Sequence, residues 1–150
     1  MQTNRPINVT IHSTQTESAG AKRHVTRSHA TGWWRKTGDE IILLFEERAP
    51  ESASESTLGQ TTIRINTFGE VRLDRETSIV TGMTFVPGGR QLLDLDLEYG
   101  TMEVMILTLD VTHESDVAGG RLKLAYMINY LNDQQIKFEV LIDYHFQMTR

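Results

Sequence analysis

The residues best suited to chemistry are scattered along the chain. The five histidines are His12, His24, His29, His113 and His145. A metal site built on strands needs ligands on one face, typically at i and i+2. No His-x-His occurs, and His24 and His29, five apart, face opposite sides of an unbulged strand. No metal site is expected from them. The absence of cysteine excludes a thiol nucleophile, thiolate metal ligands and a disulfide framework. There is no G-x-S-x-G elbow, Walker loop or G-x-G-x-x-G turn, so no catalytic residue is assigned and no cofactor is expected.

Two acidic groupings stand out. Asp94, Asp96 and Glu98 share one face of an alternating row, which is either a solvated wall or a carboxylate site for a divalent cation. Glu46 and Glu47 differ in facing, so one of them is expected to point inward and pair with Arg75 or Arg72. His29, Trp33, Glu46, Arg75 and Tyr126 are the candidates for lining a ligand cavity. The competing reading of the aromatic residues is that they fill the core.

The elements that must position these residues follow from a period of two. Ile7, Val9 and Ile11 alternate with polar residues, as do Leu93, Leu95 and Leu97. Longer rows run over Leu122, Leu124, Tyr126, Ile128 and Tyr130, then over Ile136, Phe138, Val140, Ile142, Tyr144 and Phe146. Alternation of this kind predicts strands with one buried face. Turn signals at Thr37-Gly38, Phe68-Gly69, Pro87-Gly88-Gly89, Tyr99-Gly100, Gly119-Gly120 and Asn132-Asp133 separate them. Connections this short make neighbouring strands antiparallel. The fold class is therefore all-β, an antiparallel meander β-barrel of about ten strands.

Apolar matching predicts the register of three hairpins. Around Gly69, Ile65 pairs with Val71 and Ile63 with Leu73, which places Gly69 in the left-handed position of a three-residue loop. Around Gly100, the expected pairs are Leu97–Met102, Leu95–Val104 and Leu93–Ile106, which set Asp96 against Glu103. Around Asn132, Tyr130 is expected to face Ile136 and Leu122 to face Tyr144, across a loop of odd length.

Ile41 to Phe45 and Val104 to Leu107 are apolar throughout, so these strands bury both faces. A homodimer covering them is the expected consequence. Residues 1–150 read as one domain, with 1–5 as a flexible tail and 48–59 as a mobile loop. A net charge of −5 argues against nucleic acid as a partner. No apolar stretch approaches the roughly 20 residues of a membrane span. A cytoplasmic protein without membrane contact is expected.

Several local patterns, in order, resemble the YwiB-like family of small bacterial proteins. They are Thr31-Gly32-Trp33-Trp34, Glu46-Glu47, Gly69-Glu70-Val71 before Arg75, Glu98-Tyr99-Gly100, and Gly120-Arg121 leading to Ala125-Tyr126. The resemblance runs from about Pro6 to Phe146 and implies a calycin-like, lipocalin-like barrel in the cytoplasm. It implies no catalytic residues. Gly32-Trp33-Trp34 also satisfies the lipocalin G-x-W pattern, though on the second strand instead of the first. The Arg-x-Tyr pair of fatty-acid-binding proteins is absent near the C-terminus.

Three functional readings follow. The first is a barrel binding a small hydrophobic or amphipathic ligand. The second is a packed interaction module acting through self-association or a protein partner. The third, an enzyme using His29, Glu46 and Arg75, has the least support.

Overall fold

The computed structural model describes residues 3–17, 23–48, 57–75, 82–97, 99–130 and 134–148. Ten strands account for nearly all of them: β1 (Thr3–Glu17), β2 (Arg23–Thr37), β3 (Glu40–Arg48), β4 (Thr57–Ile65), β5 (Val71–Arg75), β6 (Met83–Phe85), β7 (Arg90–Leu97), β8 (Gly100–Ser115), β9 (Gly119–Asn129) and β10 (Gln135–Phe146). They form one antiparallel sheet in the order β6-β5-β4-β3-β2-β1-β10-β9-β8-β7. The meander is thus joined through its first and last strands, and its break falls between β6 and β7.

That break is closed by side chain and turn. Gln91 on β7 accepts from the Thr84 N–H at 2.8 Å and donates to the Gly82 carbonyl at 3.0 Å. One amide side chain therefore does across the seam what a peptide group does within a ladder. Beside it, Gly88 N–H donates to Thr108 O at 3.2 Å and Thr108 N–H to Gly89 O at 3.0 Å. The result is a nearly closed barrel.

The alternating rows face inward as their period requires. Ile7, Leu43, Ile63, Val71, Phe85, Leu122 and Tyr144 are fully buried. Among the core rings, Tyr126 packs 4.8 Å from Phe85 and 5.1 Å from Phe138 between centroids.

The Gly69 hairpin has the expected register, Ile65 with Val71 and Ile63 with Leu73, and Gly69 has φ +81°. The other two hairpins are shifted by two residues. Leu97 pairs with Gly100 and Leu95 with Met102, because a two-residue turn suffices where a four-residue loop was assumed. Ile128 faces Ile136 and Gly120 faces Tyr144. A shift of two keeps every side chain on its face, so apolar matching cannot detect it. Glu103 now faces Asp94, not Asp96.

Strands β1, β3 and β4 reach into segments expected to lie outside them. Residues 3–5 belong to β1 and extend its ladder with β2, so the tail shrinks. Arg48 ends β3 and Thr57 begins β4, and residues 49–56 lie outside the described residues.

Both strands that read as apolar on two faces are inward at Leu43, Phe45, Val104 and Ile106. Their other face carries Ile42, Leu44, Met105 and Leu107, each half-buried. Among the described residues no helix is long and apolar enough to cross a membrane.

Candidate functional site

Polar groups meet inside the barrel at one mouth. The deciding local event is a bulge in β8, where the pairing with β9 shifts between Thr108 and Asp110. The extra residue, Leu109, is 44% exposed, and the alternation changes phase across it. Val111 and His113 consequently turn inward, where an unbroken strand would have presented Asp110 and Thr112.

His113 Nε2 lies 2.8 Å from the Tyr144 hydroxyl, and the two rings stack at 17° with centroids 6.0 Å apart. Tyr144 lies against Gly120 on β9, where a Cβ would collide with the phenol, so the glycine is the space the ring occupies. Tyr144 and Trp34 both pack edge-on against Phe146, at 6.2 Å and 5.3 Å. The Arg5 guanidinium covers the Phe146 ring at 3.7 Å from its centroid.

Burial lowers the pKa of His113, so the neutral imidazole is favoured. Burial pushes the Tyr144 phenol up to about 12, against a lesser opposing effect from its hydrogen bond with Trp34. Between His113 Nε2 and the Tyr144 oxygen either atom can be the donor, according to which imidazole nitrogen carries the proton.

Next to this triad the mouth opens as a cup of about 330 Å³. Ile41, Ile65, Val71 and Val111 form its apolar side, and His113, Ser115, Lys36, Asp39 and Asn66 its polar side. Asn66 is held rigidly, because its Oδ1 accepts from the N–H groups of Phe68 and Glu70, both at 2.9 Å. Such a cup can seat an apolar body while offering hydrogen bonds and, in Lys36 and Asp39, one charge of each sign.

Two of the residues expected to line a cavity come together at the other end. Tyr126 is buried, and its pKa is pushed up to about 12 by desolvation, with the Arg75 charge opposing. Arg75 is half-buried and pairs in register with Thr61, which is itself buried.

The other three lie outside. His29 is exposed, with Nδ1 3.4 Å from Thr10 Oγ1. Trp33 is 53% exposed, and Glu46 is exposed opposite Gln60. Glu46 and Arg75 stand on opposite faces of the barrel wall, so Glu46 is not the inward member of its pair, and the Glu47 side chain lies outside the described residues. Arg72 instead binds Asp74 at 3.1 Å. Nor does the wall let His29, Glu46 and Arg75 act as one catalytic group. His29 and Glu46 do share a shallow outer cavity of about 470 Å³ with Thr10 and Thr31. Among the described residues no cluster of three His, Cys, Asp or Glu side chains gathers to hold a metal.

His113, Tyr144 and Trp34 were not singled out by sequence reasoning. The inward facing of Tyr144 was legible from its row. The signal for His113 was the run Asp110, Thr112 and Glu114, whose polarity requires the phase change at Leu109.

Comparison with solved structures finds the same fold in the crystal structure of the ywiB protein from Bacillus subtilis. The TM-score is 0.74 at 20% identity, over 97% of this chain and 94% of that one. Comparison with curated proteins finds no match. The family model described as "Domain of unknown function (DUF1934)" matches residues 9–146. With nearly the whole barrel inside that match, the chain belongs to the DUF1934 family, and the resemblance to YwiB-like proteins holds.

Proposed function

We propose that this protein binds a small amphipathic molecule in the cup beside His113. The observation that carries this reading is the pairing of an apolar side, Ile41, Ile65, Val71 and Val111, with a rim of His113, Lys36 and Asn66. A volume of about 330 Å³ is at the small end for ligand sites, which run roughly 300–1,000 Å³. That volume favours a compact ligand over a long acyl chain. His113 offers a ring nitrogen to the ligand, and the opposite charges of Lys36 and Asp39 favour a polar head group without net charge.

Native mass spectrometry of protein purified from its own host tests the reading. A retained small molecule is expected on the wild type and not on Val111→Trp, which fills the cup. Identical spectra from the two proteins would overturn it.

The second reading, association of two copies, is supported by Ile42 and Leu44 beside exposed Trp33, and by Leu92, 60% exposed, beside Met105. Sedimentation velocity would show a dimer that Trp33→Glu or Leu92→Glu dissociates. A monomer at all concentrations would end that reading.

A further inference from the structure

We propose that the open edge of β2, from Arg23 to Thr31, is a docking site for an extended acidic segment of a partner protein, which adds to the sheet as a further strand. The inference is independent of the cup, which β2 reaches only at Lys36.

The edge exists because β2 and β3 part company. β2 pairs with β1 from Arg23 to Lys36, but with β3 only from Gly32 to Thr37. The parting point is Gly32, opposite Phe45, where the strands approach so closely that a Cβ would meet the Leu44 carbonyl and the Phe45 Cβ at 2.7 Å. Beyond it β3 continues with β4 alone, Glu46 opposite Gln60. Among the described residues no strand pairs with Arg23–Thr31 on its outer side. An unpaired run of this length presents a row of backbone donors and acceptors, the template used in strand addition.

Charge selects the occupant. The segment carries Arg23, His24, Arg27 and His29 and no acid. Residues 1–37 hold six lysines and arginines and one acid, Glu17, in a chain with a net charge of −5. The basic character is therefore concentrated on the hairpin that has the free edge. Two copies pairing edge to edge would set these cations against each other, which costs stability. An acidic strand gains from the same side chains.

The site also has a direction. Arg23 and Arg27 share the outward face, and Arg27 is steadied by His12 Nε2 at 3.4 Å. At the other end Glu46 closes the slit beside Thr31, and Trp33 stands exposed next to Leu44. The partner strand should place its acids against Arg23 and Arg27, and an apolar residue against Trp33.

The test uses the full chain, with backbone amide exchange followed by NMR, and two synthetic peptides of about nine residues. One alternates glutamate with threonine and valine, and the other has lysine for glutamate. The glutamate peptide is expected to slow exchange within Arg23–Thr31 and nowhere else on the sheet, while the lysine peptide has no effect. The doubly exposed variant Arg23→Glu with Arg27→Glu should bind the glutamate peptide about tenfold or more weakly and prefer the lysine peptide. Three results would overturn the proposal: no slowing with either peptide, equal binding of both peptides, or an edge already protected in the isolated protein. The last result would show that the protein covers its own edge, as a monomer or against a second copy.

Discussion

His113 and His29 both lie on long strands beside a hydroxyl, the first 2.8 Å from Tyr144 Oη and the second 3.4 Å from Thr10 Oγ1. The first pair is enclosed by Trp34 and Phe146 inside the barrel, and burial holds that imidazole toward its neutral form. The second pair lies exposed on the outer wall among arginines. The same two functional groups are thus enclosed in one place and exposed in the other. What differs is not residue type but which face of the wall the backbone presents, and water on one side screens what the interior amplifies.

The most damaging way to break the contrast is to take away the space occupied by Tyr144. Gly120→Val puts a branched side chain where the phenol lies, and Tyr144 is fully buried and has no room to yield. A loss of at least about 1–3 kcal/mol is expected in urea denaturation. Unchanged stability would mean that the ring is not packed there.

Tyr144→Phe is milder. It removes the oxygen shared by His113 and Trp34 and leaves the ring, so about 1–2 kcal/mol should be lost, with the fold retained. A loss as large as that of Gly120→Val would show that the oxygen matters more than the packing.

The two ends of the pH scale sharpen the comparison further. The folded pKa of His113 is lowered, so below the unfolded value near 6.5 the unfolded chain binds a proton that the native state refuses. Its contribution to stability is present above that pH and is lost on acidification toward the folded value. His113→Gln should flatten this slope. At the alkaline end, Tyr126 holds its proton to about 12 while the unfolded chain releases it near 10. Stability should therefore fall between those values, by about 1.4 kcal/mol per pH unit for this group. Tyr126→Phe should make that decline shallower by its own share and leave the share of Tyr144, and thermal melts at stepped pH would show whether it does.

The smallest effects belong outside. His29→Gln and Glu46→Gln, both on exposed side chains, should change stability by no more than about 0.5 kcal/mol. A larger loss from either would mean that the outer cavity near Thr31 is a structural joint and not a solvated surface.

Much of the architecture could be read from local pattern. Ile63, Ile65, Val71 and Leu73 specify their hairpin almost completely, because the Gly69 loop permits few lengths. The hairpins at Gly100 and Asn132 were placed on the right faces but two residues off, since even slips leave alternation intact. The candidate site was less legible. Glu46 was grouped with Arg75 and Tyr126 but faces outward, and His113 was passed over.

By itself, then, the sequence determined the strands, their antiparallel order, the buried face of each row and the left-handed Gly69. These follow from a two-residue period and short turns, both of which are properties of neighbouring residues. Only the tertiary structure decided which histidine is enclosed, how Gln91 closes the seam, and where β2 leaves β3. Each depends on an event without local periodicity: the bulge at Leu109, a side-chain amide standing in for a peptide, and a glycine at which two backbones nearly touch.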